Sequence, residues 1–295
     1  MDALARLGLR PLQVAWFALA LLAAAAGSDA LADRSTSVRV LAAVLAYGGW
    51  AVGLGALLVP RSTSLTVARL LVPAGAVGAI AAAATQDAVA VVDLAAAIVA
   101  SACVVLLLAP WSTDAFVDGS SYGPERRFAL RTPAPVALLA VPVWAVAVAG
   151  ALAGPVLLAA SAWLSGVLAV AVGWPAAFFA ARSLHTLARR WIVLVPAGLV
   201  VHDPLTMPEA QLFLRQTMRR LGPAAAPDAD DDLATEDLTG GASGLALALE
   251  VTEPVDLLVR AAGEGEIHAV DRVLFTPGRP AALLDAARAH RLPVG

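Results

Sequence analysis

The 295-residue sequence contains no lysine and no asparagine, and a single cysteine, Cys103. Without lysine, a phosphate-binding loop ending in Gly-Lys-Ser cannot be built. One cysteine excludes an intrachain disulfide and a cysteine-based metal site, and the apolar run around Cys103 suits a small side chain at lipid depth or in a core. HExxH and CxxC patterns are also missing. No enzyme activity, cofactor or metal is therefore expected. Charge is scarce too: 15% of residues are charged, against ~25% in soluble domains. With 60% hydrophobic residues and a mean hydropathy of +0.79, the composition is that of a membrane protein. The net charge of −3 hides an asymmetry: residues 1–181 carry nine arginines against eight acids, residues 182–295 eleven against fifteen. The second part is mildly acidic, so no nucleic-acid partner is expected. The bias towards alanine and leucine, with lysine and asparagine missing, is that of a GC-rich bacterial genome.

A helix needs roughly 20 apolar residues to cross ~30 Å of hydrocarbon. By that measure residues 1–181 form a transmembrane domain of six helices, over about 12–31, 40–59, 65–84, 88–109, 135–152 and 156–180. The opening segment reads as a first span and not a cleaved signal, because further apolar runs follow without a soluble interval. Between Arg131 and Arg182 no charge occurs, a run that fits two spans, and Gly150 to Pro155 is the place to turn. Arg6, Arg10, Arg61, Arg69, Arg126, Arg127, Arg131, Arg182, Arg189 and Arg190 all fall on one side if the N-terminus is inside, so both termini are expected in the cytoplasm of a bacterial plasma membrane. The loop from Trp111 to Pro135 reads as turn-rich and solvated, with Asp114, Asp118 and Glu125 balanced by arginines.

Residues 182–189 form a juxtamembrane joint. There Arg182, Arg189, Arg190 and Trp191 are candidate membrane-interface side chains, since guanidinium and indole groups keep an apolar stem in lipid and a polar end in water. From residue 190 the period changes to that of strands. IVLVP, a Pro-Ala-Gly turn and LVVHD make one strand pair. LALALEV and VDLLVR, separated by Thr252 to Pro254, read as a hairpin, AVDRVLFTP as a further strand, and Pro280 to His290 as a closing helix. Thr206 to Leu221 satisfies local helix rules but fits the fold better as extended chain. Residues 222–244, with the acids Asp228 to Asp237, read as a mobile acidic loop. His202 with Asp203, and His268, stand at element ends or in a loop.

The order of these strands, and above all VLFTPGRPAALLDAARAHRLPV from Val273 to Val294, resembles bacterial pleckstrin-homology-like domains, in which a last strand ends in a proline-containing turn that leads into a capping helix. The whole chain resembles actinobacterial multi-pass membrane proteins that carry such a domain at the C-terminus. The resemblance implies a β-rich, pleckstrin-homology-like sandwich with a C-terminal helix, over residues 190–295, as a cytoplasmic binding module at the inner leaflet; without lysine and with a net negative charge it is expected to bind a protein partner, with membrane lipids as its surroundings. It supplies no catalytic residue. The rival expectation is a small-solute or lipid transporter, for which Arg69 and Asp93 are the possible intramembrane functional residues. They lie near opposite ends of their spans, too far apart to pair.

Overall fold

Long uninterrupted apolar runs have no way to satisfy backbone polar groups in lipid except as helices, and that is what they form. The computed structural model describes residues 7–30, 33–84, 90–225, 233–261 and 264–295. The helices are α1 (Arg10–Ala30), α2 (Thr36–Leu58), α3 (Ser62–Ala84), α4 (Val91–Leu108), the short α5 (Pro110–Asp118), α6 (Ala134–Ala159) and α7 (Trp163–Leu187). Five of them, α2, α3, α4, α6 and α7, are long and apolar enough to cross a membrane, while the corresponding stretch of α1, Arg10–Leu22, is shorter. Their large side chains point outwards: Leu138 is 78% exposed, Leu164 77% and Val172 71%. Apolar surface on that scale is kept by contact with lipid, not water.

Hydrogen bonds from indoles and glycine contacts set how the helices approach. The indole N–H of Trp16 donates to the Trp50 carbonyl at 3.0 Å, and that of Trp50 donates to the Trp16 carbonyl at 2.9 Å, joining α1 to α2. Gly53 faces the same ring, so the Gly49 and Gly53 spacing in α2 serves packing within the chain. Trp144 of α6 donates to the Leu70 carbonyl of α3 at 3.1 Å.

The turn between the last two apolar helices is not at Gly150 to Pro155. Helix α6 runs through both Gly154 and Pro155, and the chain reverses at Ala160 to Ala162, where Ser161 takes a φ of 63°. The glycines are a packing seam. A Cβ on Gly150 would lie 2.5 Å from the carbonyl oxygen of Gly173, one on Gly166 would lie 2.7 Å from Leu158 Cδ2, and Gly154 meets Val170 in the same way. A Gly-Pro pair reads as a turn in a soluble chain, but apolar helices carry such residues where a neighbour approaches closely. Replacing Gly150 with Val is expected to cost about 1–3 kcal/mol by overpacking, read as a lower Tm of the purified chain. Gly78→Ala, which meets open space, is expected to leave Tm unchanged.

The second compact unit comprises Val117–Leu139 and Thr186–Gly295. Its strands are β1 (Arg126–Ala129), β2 (Trp191–Val195), β3 (Gly198–His202), β4 (Gln211–Leu214), β5 (Met218–Pro223), β6 (Thr235–Asp237), β7 (Leu247–Ala261) and β8 (Glu264–Phe275), and helix α8 (Pro280–Ala289) follows. They make two four-stranded sheets, ordered β1-β2-β3-β4 and β5-β7-β8-β6. One buried cluster takes side chains from both sheets and from α8, among them Ile192, Phe213, Leu249, Phe275 and Leu283, none more than 1% exposed.

Four readings of the sequence need correction here. The loop from Trp111 to Pro135 is not mere turn: it holds α5 and strand β1, which pairs antiparallel with β2 and buries Phe128. The sheet domain is therefore larger than residues 190–295 and discontinuous, with α6 and α7 inserted between two neighbouring strands. The hairpin at Thr252 to Pro254 does not exist. Strand β7 continues through it as a bulge, and both of its arms pair with β8. Three intervening residues preserve the period-2 phase, so Leu247, Leu249, Val251, Leu257 and Val259 all stay buried on one face, and a bulge is where a strand tolerates proline. The acidic loop is shorter than 222–244, since β5 extends to Pro223 and β6 pairs parallel with β8. Asp228, Asp230, Asp231 and Asp232 lie outside the described residues. Thr206 to Leu221, in contrast, is extended as expected, as β4, a single 3-10 turn and β5. Helix α8 begins at Pro280, also as expected.

Candidate functional site

Where the chain leaves α7 it enters the sheet domain at once. Strands β2 and β3 pair so that Trp191 faces His202, and the next positions outwards are Arg190 and Asp203. The Arg190 guanidinium donates through Nε to Asp203 Oδ1 at 2.7 Å and through Nη2 to Oδ2 at 2.6 Å. Its third nitrogen, Nη1, donates to the carbonyl of Arg131 at 2.7 Å. Both side chains are buried, 1% and 0% exposed. A carboxylate and guanidinium in this two-toothed geometry compensate each other's desolvation. Arg190 is thus an internal fastener, holding β2, β3 and the segment after β1 together. It is not the interfacial side chain that its place in an arginine cluster suggested. Arg182 and Arg189 are exposed. Trp191 is half-buried, with the His202 ring 4.7 Å from its own and the Arg127 guanidinium 5.8 Å from its centroid.

The pair has a signal in the sequence. Once IVLVPAGLVVH is read as a hairpin turning at Pro196 and Ala197, residues whose numbers sum like 191 and 202 stand opposite, and Arg190 with Asp203 is one such pair.

His202 and His268 behave oppositely. Burial, and then Arg189 and Arg127, hold the His202 imidazole below its usual range, against the pull of Asp203. His268 lies on β8, not in a loop. The hydrogen bond from its Nδ1 to Glu236 Oε2, at 2.8 Å, raises it, with Glu266 at 3.5 Å adding to the effect. A folded-state value above the unfolded one means stabilisation that is complete below the ordinary value, ~6.5, and lost as pH rises through the raised value. The clasp between β6 and β8 is therefore expected to be firm in mildly acidic solution and to loosen as pH rises above that ordinary value. Amide hydrogen exchange at Thr235 to Leu238, corrected for intrinsic rates, measures it, and His268→Gln is expected to remove the pH dependence. For His202 the sign is reversed: its contribution is lost as pH falls.

Among the described residues no group of three or more His, Cys, Asp or Glu side chains is placed to hold a metal ion. Asp203 is engaged by Arg190 and His268 by Glu236, so the two are not brought together as ligands. In the helical unit Asp93 is 2% exposed in the first turn of α4, where Oδ2 accepts the backbone N–H of Ala90 at 3.0 Å. An anion at a helix N-terminus meets the positive end of the helix dipole. Arg69 sits in the second turn of α3, and among the described residues no ion pair joins it to Asp93. Thr66 Oγ1 and His185 Nδ1 share a hydrogen bond of 2.8 Å between α3 and α7.

No protein-family model, no curated protein and no solved structure matches this chain.

Proposed function

We propose that this chain is a membrane-anchored interaction protein, in which six helices hold a pleckstrin-homology-like sheet domain at the inner leaflet of a bacterial plasma membrane to bind a protein partner. In this reading both termini are cytoplasmic, and α1 is the sixth span. The observation that carries it is the sheet domain itself: it has its own buried core, and is tied to the apolar helices by chain connections before α6 and after α7 as well as by its length of sequence. A domain so fastened is a fixture of the protein and not a tail. Binding fits it better than chemistry, because its buried charges are spent on each other. Specific recognition of phosphorylated headgroups is not part of the proposal, since the domain has no lysine and a net negative charge. Arg182 and Arg189, with Trp191, are assigned to weak, salt-sensitive contact with anionic lipid, at roughly 1 kcal/mol per basic residue.

Two measurements test this. A cysteine introduced at position 120 in a Cys103→Ala background is expected to be shielded from an impermeant reagent outside the cell; labelling from outside would reverse the topology. A partner that co-purifies with the detergent-solubilised chain is expected to be lost on Asp203→Ala, which disrupts the sheet domain and leaves the helices. An unchanged set of co-purifying proteins would sink the assignment. The transport reading is favoured by one observation, the buried Asp93 carboxylate with its second oxygen unpartnered among the described residues. Solute flux in proteoliposomes that is abolished by Asp93→Asn would establish it instead.

A further inference from the structure

Two sheets of four strands have four edges, and three are dealt with in recognisable ways. At β1, the Gly278 N–H donates to the Ala129 carbonyl and the Arg131 N–H to the Thr276 carbonyl, both at 2.8 Å, so residues 276–278 cover that side. At β5, the Leu221 N–H donates to the Pro293 carbonyl at 2.7 Å and the Gly295 N–H donates back to Leu221 at 3.1 Å, so the last residues of the chain form a cover. Strand β6 is three residues long, Thr-Glu-Asp, and two adjacent carboxylates discourage pairing. Strand β4 has none of these protections. It reads Gln-Leu-Phe-Leu, without charge or proline, and among the described residues no backbone group pairs with its outer side. The Gln211 side chain donates to the Leu212 carbonyl at 3.2 Å, the sort of substitute bond an open edge makes. On its outer face Leu212 is 41% exposed and Leu214 39%, while Phe213 points into the core.

The charges flanking this edge are self-complementary. Glu209 precedes the strand and Arg215 follows it; both are exposed, and neither is in an ion pair among the described residues. We propose that β4 pairs antiparallel with β4 of a second copy of the chain, about a two-fold axis at Leu212. That register sets each Glu209 opposite Arg215 of the other copy, Leu212 against Leu212 and Ala210 against Leu214. Residues opposite each other in such a pair share a face, so the exposed leucines cover one another. Ala210 and Gln211 also line a groove of about 160 Å³ with Met207, Leu258 and Ile267, and Asp256 and Glu209 supply its carboxylates. The second copy's Leu214 arrives at its mouth with Arg215 beside the two acids. Moving the two-fold axis by one residue, to Phe213, would oppose Arg215 to Gln211 and leave Glu209 without a cation.

This assignment rests on the sheet domain being an interaction module, and names a second copy as its partner. A four-residue edge is small beside the ~1,200–2,000 Å² of stable interfaces. Dimerisation is therefore expected for the membrane-held full chain, where confinement raises the effective concentration. The test is cross-linking in native membranes with the full chain carrying Cys103→Ala. Leu212→Cys is expected to form a disulfide-linked dimer under mild oxidation. Leu214→Cys should do so only when co-expressed with Ala210→Cys. Exposed Leu245→Cys, outside both the strand and the groove, reports random collision. Glu209→Arg and Arg215→Glu are each expected to reduce the Leu212→Cys dimer roughly tenfold, since two attractive contacts become repulsive, and the double exchange is expected to restore it. Surface substitutions of this kind are checked for folding by an unchanged elution profile in detergent. Absence of the Leu212→Cys dimer, or cross-linking no stronger than at Leu245→Cys, would overturn the proposal. So would a cross-link to a species of another mass, which would give the edge to a different protein while leaving the interaction module standing.

Discussion

Replacing Asp203 with Ala is expected to unfold the sheet domain while the apolar helices remain intact. The substitution leaves the Arg190 guanidinium buried at 1% exposure with only the Arg131 carbonyl for a partner. Breaking one side of a buried ion pair costs about 3–5 kcal/mol, against a total of about 5–15 kcal/mol for a whole domain. The Asp203 carboxylate also accepts the Leu205 N–H at 3.1 Å, so the turn after β3 loses an anchor as well. Arg190→Lys should be nearly as damaging, because an ammonium cannot donate to both carboxylate oxygens and to Arg131 in the same plane. Replacing both partners, Arg190→Met with Asp203→Leu, removes the uncompensated charge and is expected to recover most of the loss. Recovery falls short of complete because the Arg131 carbonyl is left without its donor. Limited proteolysis and tryptophan fluorescence of the detergent-solubilised variants measure the sequence of stabilities: wild type above the double variant, and that above either single one. A Tm for Asp203→Ala within the scatter of the wild type would show that the pair is replaceable by water or by local rearrangement.

A fragment beginning at residue 188 is expected to aggregate, and one that also carries residues 117–132 to fold. The obvious place to cut a C-terminal domain from its membrane helices is just after α7. Such a cut discards β1 and with it Phe128, 3% exposed in the shared core, and uncovers the whole outer side of β2. It also removes the carbonyl that takes the third nitrogen of Arg190. An uncharged Ile-Val-Leu-Val edge with an exposed core beneath it is a template for misassembly. Because Ala129 stands opposite Trp191 and the Leu130 N–H donates to the Arg190 carbonyl at 3.0 Å, the chain ends to be joined lie side by side. A short Gly-Ser linker from Thr132 to Ala188 therefore replaces α6 and α7 without strain. Size-exclusion profiles and amide dispersion in NMR spectra of the two fragments decide the point. Equal folding of both would mean that β1 is an accessory to the sheet and not a part of it.

Much of this architecture could be read from residues alone, and the misses have physical causes. Apolar runs are long, so the positions of α1 to α4 are legible to within a few residues, as is the hairpin of β2 and β3. Strand β1 was not legible because Arg-Arg-Phe-Ala offers one inward apolar side chain, too few for a period of two to register. The bulge in β7 reads as a turn in the sequence because Thr-Glu-Pro has turn composition and three residues leave the parity of the strand unchanged. Gly150 to Pro155 failed for a related reason: the same residues mark a turn in water and a close contact between helices in lipid. The arginines after α7 were legible as a cluster, but not as two populations. Sign and spacing do not say that Arg190 alone points inwards; that follows only from the strand register that sets it against Asp203.

Inserting two apolar helices between neighbouring strands also sets the order in which the protein can be made. Strand β1 leaves the ribosome roughly 60 residues before its partner β2, a delay of about 3–12 s at ~5–20 residues per second. Through that interval the β1 segment is a short chain with no sheet to join, while α6 and α7 must find their places before β2 exists. Completion of the sheet domain is therefore a report that the preceding hairpin of helices has been threaded correctly, and a chain in which either helix fails to insert is left with an open sheet for quality control to recognise.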